Sequence, residues 1–232
     1  MRFSNYLNEA EDKFLEKEIK KFRTSCKPFL DHIIGNDVYE PLYRGTSKYL
    51  SMFSISRRRK NRKPKDTPEK VQKIADAIFY KEFKWKPRSS GVFATGSLSL
   101  ADNYGRVFWF FPIGSFHFVW SNRIEDFFLD NDWDDFYKRE WIENQGWKII
   151  YNPGHTIGIE DRMDSIINTY QDFDLKSAIS SGHEIMFDCD RYYLIDEKNF
   201  RNRLSDMNVI GKDNSHKLFD EDAYKYLIGV KQ

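Results

Sequence analysis

The stretch from Val107 to Trp120 constrains the fold more than any other. Val107-Phe108-Trp109-Phe110-Phe111 and Phe116-His117-Phe118-Val119-Trp120 are short aromatic-rich runs separated by Pro112-Ile113-Gly114-Ser115. Runs of this length, rich in β-formers and bounded by Pro and Gly, read as two strands around a turn. Strand patterning extends to either side, in Gly91-Val92-Phe93-Ala94-Thr95, Ile149-Ile150-Tyr151, Glu184-Ile185-Met186-Phe187 and Arg191-Tyr192-Tyr193-Leu194-Ile195. The last two flank Asp188-Cys189-Asp190. Aromatic residues make up 17% of the chain, which argues for a well-filled core and against disorder.

Helical spacing dominates the beginning and the end. Ala10, Phe14, Leu15, Ile19, Phe22, Cys26, Phe29, Leu30, Ile33 and Ile34 recur every three or four residues, marking an amphipathic helix over 8–34 that bends or breaks near Pro28 and stops at Gly35. Thr67 and Pro68 read as N-cap and first turn of a second helix carrying Val71, Ile74, Ala75, Ile78 and Phe79. Ser97 to Tyr104 reads as a helical turn closed by Gly105, and Ile124 to Asn144 as an acidic helix. Further helices are expected near 160–170, 174–181, 197–205 and 218–228. Helices first, strands in the middle and again late, give an α+β fold. Residues 1–36 read as an N-terminal helical extension packed on a core domain of residues 37–232.

Several function classes are excluded by what is missing. No apolar run reaches the ~20 residues of a spanning helix, and the start lacks an apolar signal region, so an intracellular, cytoplasmic protein without membrane partners is expected. Cys26 and Cys189 have no metal-ligand spacing and read as two buried thiols. The histidines are scattered, so no metal is expected. Neither a phosphate-binding Walker loop nor a dinucleotide glycine fingerprint occurs.

Charge is unevenly placed although the net charge is only +1. Arg57, Arg58, Arg59, Lys60, Arg62, Lys63 and Lys65 form a basic block, whereas residues 125–143 are dominated by Asp and Glu. Two faces with different partners follow from that separation. The basic block suits a nucleic-acid backbone, the phosphates of a nucleotide, or a solvated loop.

Three separated segments carry candidate chemistry. Leu42-Tyr43-Arg44-Gly45-Thr46 sets a guanidinium among apolar neighbours beside a glycine; such a charge needs a carboxylate or phosphate partner. Gly91 to Tyr104 brings glycines and hydroxyls together with Phe93, a flat stacking surface. Gly182-His183-Glu184-Ile185-Met186-Phe187 sets a carboxylate at the mouth of an apolar strand.

In this order the three segments resemble the ADP-ribosyltransferase superfamily. Its members have a strand bearing Arg or His before Gly, a later strand-plus-hydroxyl segment and a late strand bearing a catalytic Glu. Gly91-Val92-Phe93, Ser99 and Asn103-Tyr104 resemble the middle element of poly-ADP-ribose polymerases, while Arg44-Gly45 is similar to the arginine form of the first. The resemblance covers roughly residues 40–196. It departs at Ala94-Thr95-Gly96, where arginine-type members have Ser-Thr-Ser, leaving the ligand-facing hydroxyl open among Thr95, Ser97 and Ser99. It departs again at Gly182, two residues before Glu184, where members that modify protein arginine or asparagine usually carry Glu or Gln.

The resemblance implies a split β-sheet core with peripheral helices. It also implies an NAD+-dependent mono-ADP-ribosyltransferase acting on a protein or nucleic-acid acceptor, with NAD+ as substrate and no metal. Glu184 and Arg44 are then the expected catalytic residues, and Tyr43, Gly45, Thr46, Phe93, Thr95, Ser97, Ser99 and Tyr104 are expected to line the NAD+ pocket. Glu184 would stabilise positive charge on the ribose. Arg57, Arg58, Arg59, Lys60, Arg62 and Lys63 are the expected nucleic-acid contacts. The other reading from the residues is a non-catalytic nucleic-acid- or protein-binding module.

Overall fold

A computed structural model describes residues 2–60, 62, 69–127, 159–210 and 219–230, with backbone only at 2–10, 70 and 159. The Thr67-Pro68 cap, the candidate strand at 149–151, Lys63 and Lys65, and the acidic stretch beyond Phe127 lie outside the described residues. The fold is mixed α+β, and its strand pairings are antiparallel. The chain forms two compact units, each assembled from separated stretches. The first comprises Met1–Arg58, Ala94–Phe116 and Cys189–Gln232; the second comprises Arg59–Phe93 and His117–Asp188. The N-terminal helices belong to the first unit together with the segments that follow them to Arg58.

In the first unit, the N-terminal helix is broken near Pro28, as expected, into α1 (Arg2–Ser25) and α2 (Lys27–Gly35). The break falls at Cys26, because Pro28 has no N–H to donate and is tolerated only in a first helical turn. Strands β1 (Tyr43–Thr46), β2 (Phe53–Arg57), β4 (Arg106–Ile113) and β8 (Arg191–Ile195) pair in the order β2-β8-β4-β1. Strand β2 was not among the elements expected from the sequence. Phe22 of α1 meets Phe111 and Tyr193 edge-on, at 4.8 and 5.4 Å between centroids. Trp109 on β4 meets Tyr224 of the helix Glu221–Ile228 at 5.3 Å, and Phe53 meets Phe200 of the helix Glu197–Asp206 at 5.7 Å. Phe14 departs from the expected stripe and is exposed. Cys26 and Cys189 are buried free thiols.

The second unit packs α3 (Glu69–Phe83) and the helix Ile159–Ile167 with β5 (His117–Ser121) and β7 (Glu184–Asp188). Val71, Ala75 and Phe79 of α3 form one apolar cluster with Val119, Phe127, Met163, Ile167, Tyr170 and Met186. Strand β7 pairs with β5, which also pairs with β6 (Tyr170–Gln171). A short helix, α4 (Pro87–Ser90), precedes β3 (Val92–Thr95), whose residues divide between the two units after Phe93.

The two aromatic runs are therefore strands, but not strands of one hairpin. β4 pairs with β1 and β8, whereas β5 pairs with β7 and β6. Glu184–Asp188 and Arg191–Ile195, which flank Asp188-Cys189-Asp190, likewise find separate partners: β7 pairs with β5, and β8 with β2 and β4. Chain proximity does not set the pairing in either case, because these strands find partners distant in sequence. Ile124–Phe127 is also not helical; it is a loop following β5.

Candidate functional site

Strand alternation sorts the first segment. Successive strand residues point to opposite faces, so Tyr43 and Gly45 share one face of β1 while Arg44 and Thr46 share the other. Tyr43 is buried, and desolvation, reinforced by Glu197, pushes its phenol up; it is a core residue. Arg44 lies opposite Phe108 on β4, half-buried, with its guanidinium 5.6 Å from the ring centroid of Tyr192. Thr46 is partly exposed, and its hydroxyl accepts from Lys48 N–H at 3.3 Å.

Gly45 is approached by the protein itself. A Cβ there would collide with the carbonyl oxygen of Ala101 and come 3.0 Å from Cβ of Tyr104. Its lack of a side chain thus admits helix α5 (Leu98–Asp102) against β1.

The hydroxyls of the second segment separate by role. Thr95 is buried and its Oγ1 accepts from Ser97 N–H at 2.9 Å. Ser97 is the N-cap of α5, its Oγ accepting from Leu100 N–H at 3.2 Å. Ser99 is exposed on α5, and Tyr104 is half exposed. Of the three hydroxyls left open by the sequence, Ser99 alone is neither buried nor part of the cap.

Glu184 opens β7 in the second unit. It shares the face of Met186, which packs in the α3 cluster, so its carboxyl is buried beneath helices. Arg88 Nη1 donates to Glu184 Oε1 at 3.1 Å, with both side chains only 11% exposed. The loop after β5 closes over the same group: Glu184 N–H donates to Glu125 O at 2.7 Å, and Phe127 N–H donates to the carboxylate. Burial dominates its ionisation and, with Asp126 adding in the same direction, outweighs Arg88, Arg62 and Phe127 N–H; the carboxyl is pushed up to about 7.

Arg88 is itself held tightly. Its guanidinium lies 5.0 Å from the ring centroid of Phe93 and 4.5 Å from that of Phe127. Asp76, buried on α3, accepts from the backbone N–H groups of Arg88 and Ser89 at 3.2 Å each and from the Ser89 hydroxyl. Gln72, one turn earlier, donates to Ser89 Oγ at 3.2 Å and to Arg62 O at 2.9 Å. Arg62 in turn sits 4.3 Å from the Phe93 centroid. Phe93 therefore carries two guanidiniums over its ring.

No protein-family model, curated protein or solved structure matches this chain.

The basic block also divides by environment. Arg57 ends β2 opposite Arg191, and both are exposed. Arg58 pairs with Asp190 at 2.9 Å and is mostly buried, whereas Arg59 and Lys60 are exposed. Arg62 is engaged on Phe93. Among the described residues, no group of three His, Cys, Asp or Glu is arranged to hold a metal, and no helix is long and apolar enough to cross a membrane.

Sequence reasoning missed Arg88, Asp76 and Asp126. A signal existed for one of them: Gln72 and Asp76 are polar residues spaced by four within the helical stripe that carries Val71, Ala75 and Phe79. Arg88 gave none, sitting in the polar stretch Lys86-Pro87-Arg88-Ser89.

Proposed function

We propose that the chain is an NAD+-dependent mono-ADP-ribosyltransferase on an ADP-ribosyltransferase-like fold, transferring ADP-ribose to a protein or nucleic-acid acceptor. The observation that carries this reading is Glu184, a strand-borne carboxylate buried against Arg88 with its ionisation midpoint near neutrality. In the reaction the bond between ribose C1′ and the nicotinamide nitrogen breaks, its electron pair leaves with neutral nicotinamide, and positive charge develops on the ribose. Ionised Glu184 stabilises that charge, an effect strengthened by exclusion of water. The acceptor nucleophile then bonds to C1′ and loses its proton. Arg44, partly exposed beside Tyr192, is suited to a phosphate of the donor. Within the first unit, main-chain groups of Gly45, with Thr46, Ser99 and Tyr104, are the other residues proposed for NAD+.

Gly182 supports one restriction on the acceptor. It ends the helix Leu175–Ser181 in the left-handed conformation, φ 74°, and so is required by the turn into β7. The position two residues before Glu184 is thus used for helix termination, which argues against transfer directed to protein arginine or asparagine.

A second reading is favoured by the ion pair itself. Glu184 is tied to Arg88, and Phe93 lies under two guanidiniums, as in a structural network of a non-catalytic nucleic-acid- or protein-binding module. Labelled NAD+ discriminates between the two. The transferase releases nicotinamide and its Glu184→Gln variant loses about two powers of ten in rate; undiminished release by the variant rejects Glu184 as the reacting carboxylate. No release by the native protein, with nucleic acid and cell extract supplied as acceptors, selects the binding module.

A further inference from the structure

The network around Glu184 has a direction. Asp76 fixes the backbone of Arg88 and Ser89. Phe93 and Phe127 both lie against the guanidinium, and Glu184 is at ion-pair distance from it. Long side chains ordinarily lose much rotamer freedom when pinned; here a fixed backbone and two rings hold the arginine before any substrate arrives. A planar fork held in this way defines the plane and distance at which a carboxylate can meet it.

We infer that Arg88 is the positioning residue of Glu184, setting where the carboxylate sits in the second unit. The inference rests on the reading of Glu184 as the reacting group and deepens it. Arg88 acts through Glu184, so it is not itself catalytic. The groups facing Glu184 are Arg88 from α4, Asp126 and the Phe127 N–H from the loop after β5, and Arg62. Burial and Asp126 favour the protonated acid, while Arg88, Arg62 and the Phe127 N–H favour the anion. Arg88 is the largest of the opposing influences, so its loss leaves burial almost unopposed.

The test reads the two side chains directly. Carbon-13 NMR of the Glu184 carboxyl and nitrogen-15 NMR of the Arg88 guanidinium are followed through a pH titration of the full chain. In the native protein both signals should change with one midpoint. In Arg88→Gln the Glu184 midpoint should rise, lowering the ionised fraction at neutral pH about tenfold or more, and Arg88→Lys should restore part of it. An unchanged midpoint in folded Arg88→Gln overturns the inference. Should that variant fail to fold, an Arg88 signal in the native protein that ignores the Glu184 titration overturns it equally. Nicotinamide release from labelled NAD+ is measured alongside. Its absence in the native protein removes the transferase reading while the linked titration still stands; loss of the linkage removes the positioning role even in an active enzyme.

Discussion

A side chain at Gly45 would run into the carbonyl oxygen of Ala101, because helix α5 lies directly against strand β1. The obstacle is backbone rather than the tip of a flexible side chain, so relief requires moving the helix or the strand. Gly45→Ala should destabilise the protein by about 1–3 kcal/mol, the usual cost of overpacking. Urea unfolding of the variant checks this, and a midpoint equal to that of the native protein rejects the close packing.

Glu184 gives a stability signature independent of any activity. Its folded-state midpoint of about 7 lies above the ordinary carboxyl value near 4.3. Between those values the folded protein holds a proton that the unfolded chain has released. Stability therefore falls as pH rises through this window, with a slope of up to about 1 kcal/mol per pH unit, and levels off above it. Glu184→Gln should flatten that slope. Denaturant unfolding across the window measures it, and parallel curves for the two proteins would falsify the raised midpoint.

Asp76 holds three donors at once. Asp76→Ala leaves the N–H groups of Arg88 and Ser89 without their carboxylate, with a cost of about 2–3 kcal/mol. Amide hydrogen exchange should quicken first at Arg88 and Ser89. Protection there equal to that of the native protein contradicts the arrangement.

Within the basic block, exposure selects the residues to test. Arg57, Arg59 and Lys60 are exposed, whereas Arg58 is paired with Asp190 and Arg62 lies over Phe93. If the block contacts a single-stranded nucleic acid, changing the three exposed residues to Gln should reduce the slope of log affinity against log salt by about 2. Fluorescence anisotropy with a labelled oligonucleotide reads the slope, and an unaltered value removes these residues from the interface.

What the sequence made legible was local. The stripes through Leu15, Ile19 and Phe22 and through Val71, Ala75 and Phe79 locate helices, since spacing of three or four is a property of one segment. The short strands at Val92–Thr95 and Arg191–Ile195 were legible for the same reason. Strand β2 was passed over although Phe53-Ser54-Ile55-Ser56 alternates apolar and polar residues, because the run is short and leads straight into arginines. Pairing was not legible either. Nothing in the residues of β8 says that it lies between β2 and β4, because its partners, Phe53–Arg57 and Arg106–Ile113, are far away in sequence. Glu184 stood out as a carboxylate before an apolar strand. Its partner Arg88 lies 96 positions earlier and carries no local mark.

The interleaving of the two units has a consequence for how the protein is made. Strand β8, between β2 and β4, is translated after both, so these strands wait without their shared neighbour until residues 191–195 leave the ribosome. The second unit is complete in sequence by Asp188, and so can close earlier in synthesis than the first. Pairing over such separations is slow, and during that delay the apolar strand Val107–Phe111 has a bare edge where β8 will later bind, a point at which nascent chains would need shielding from one another.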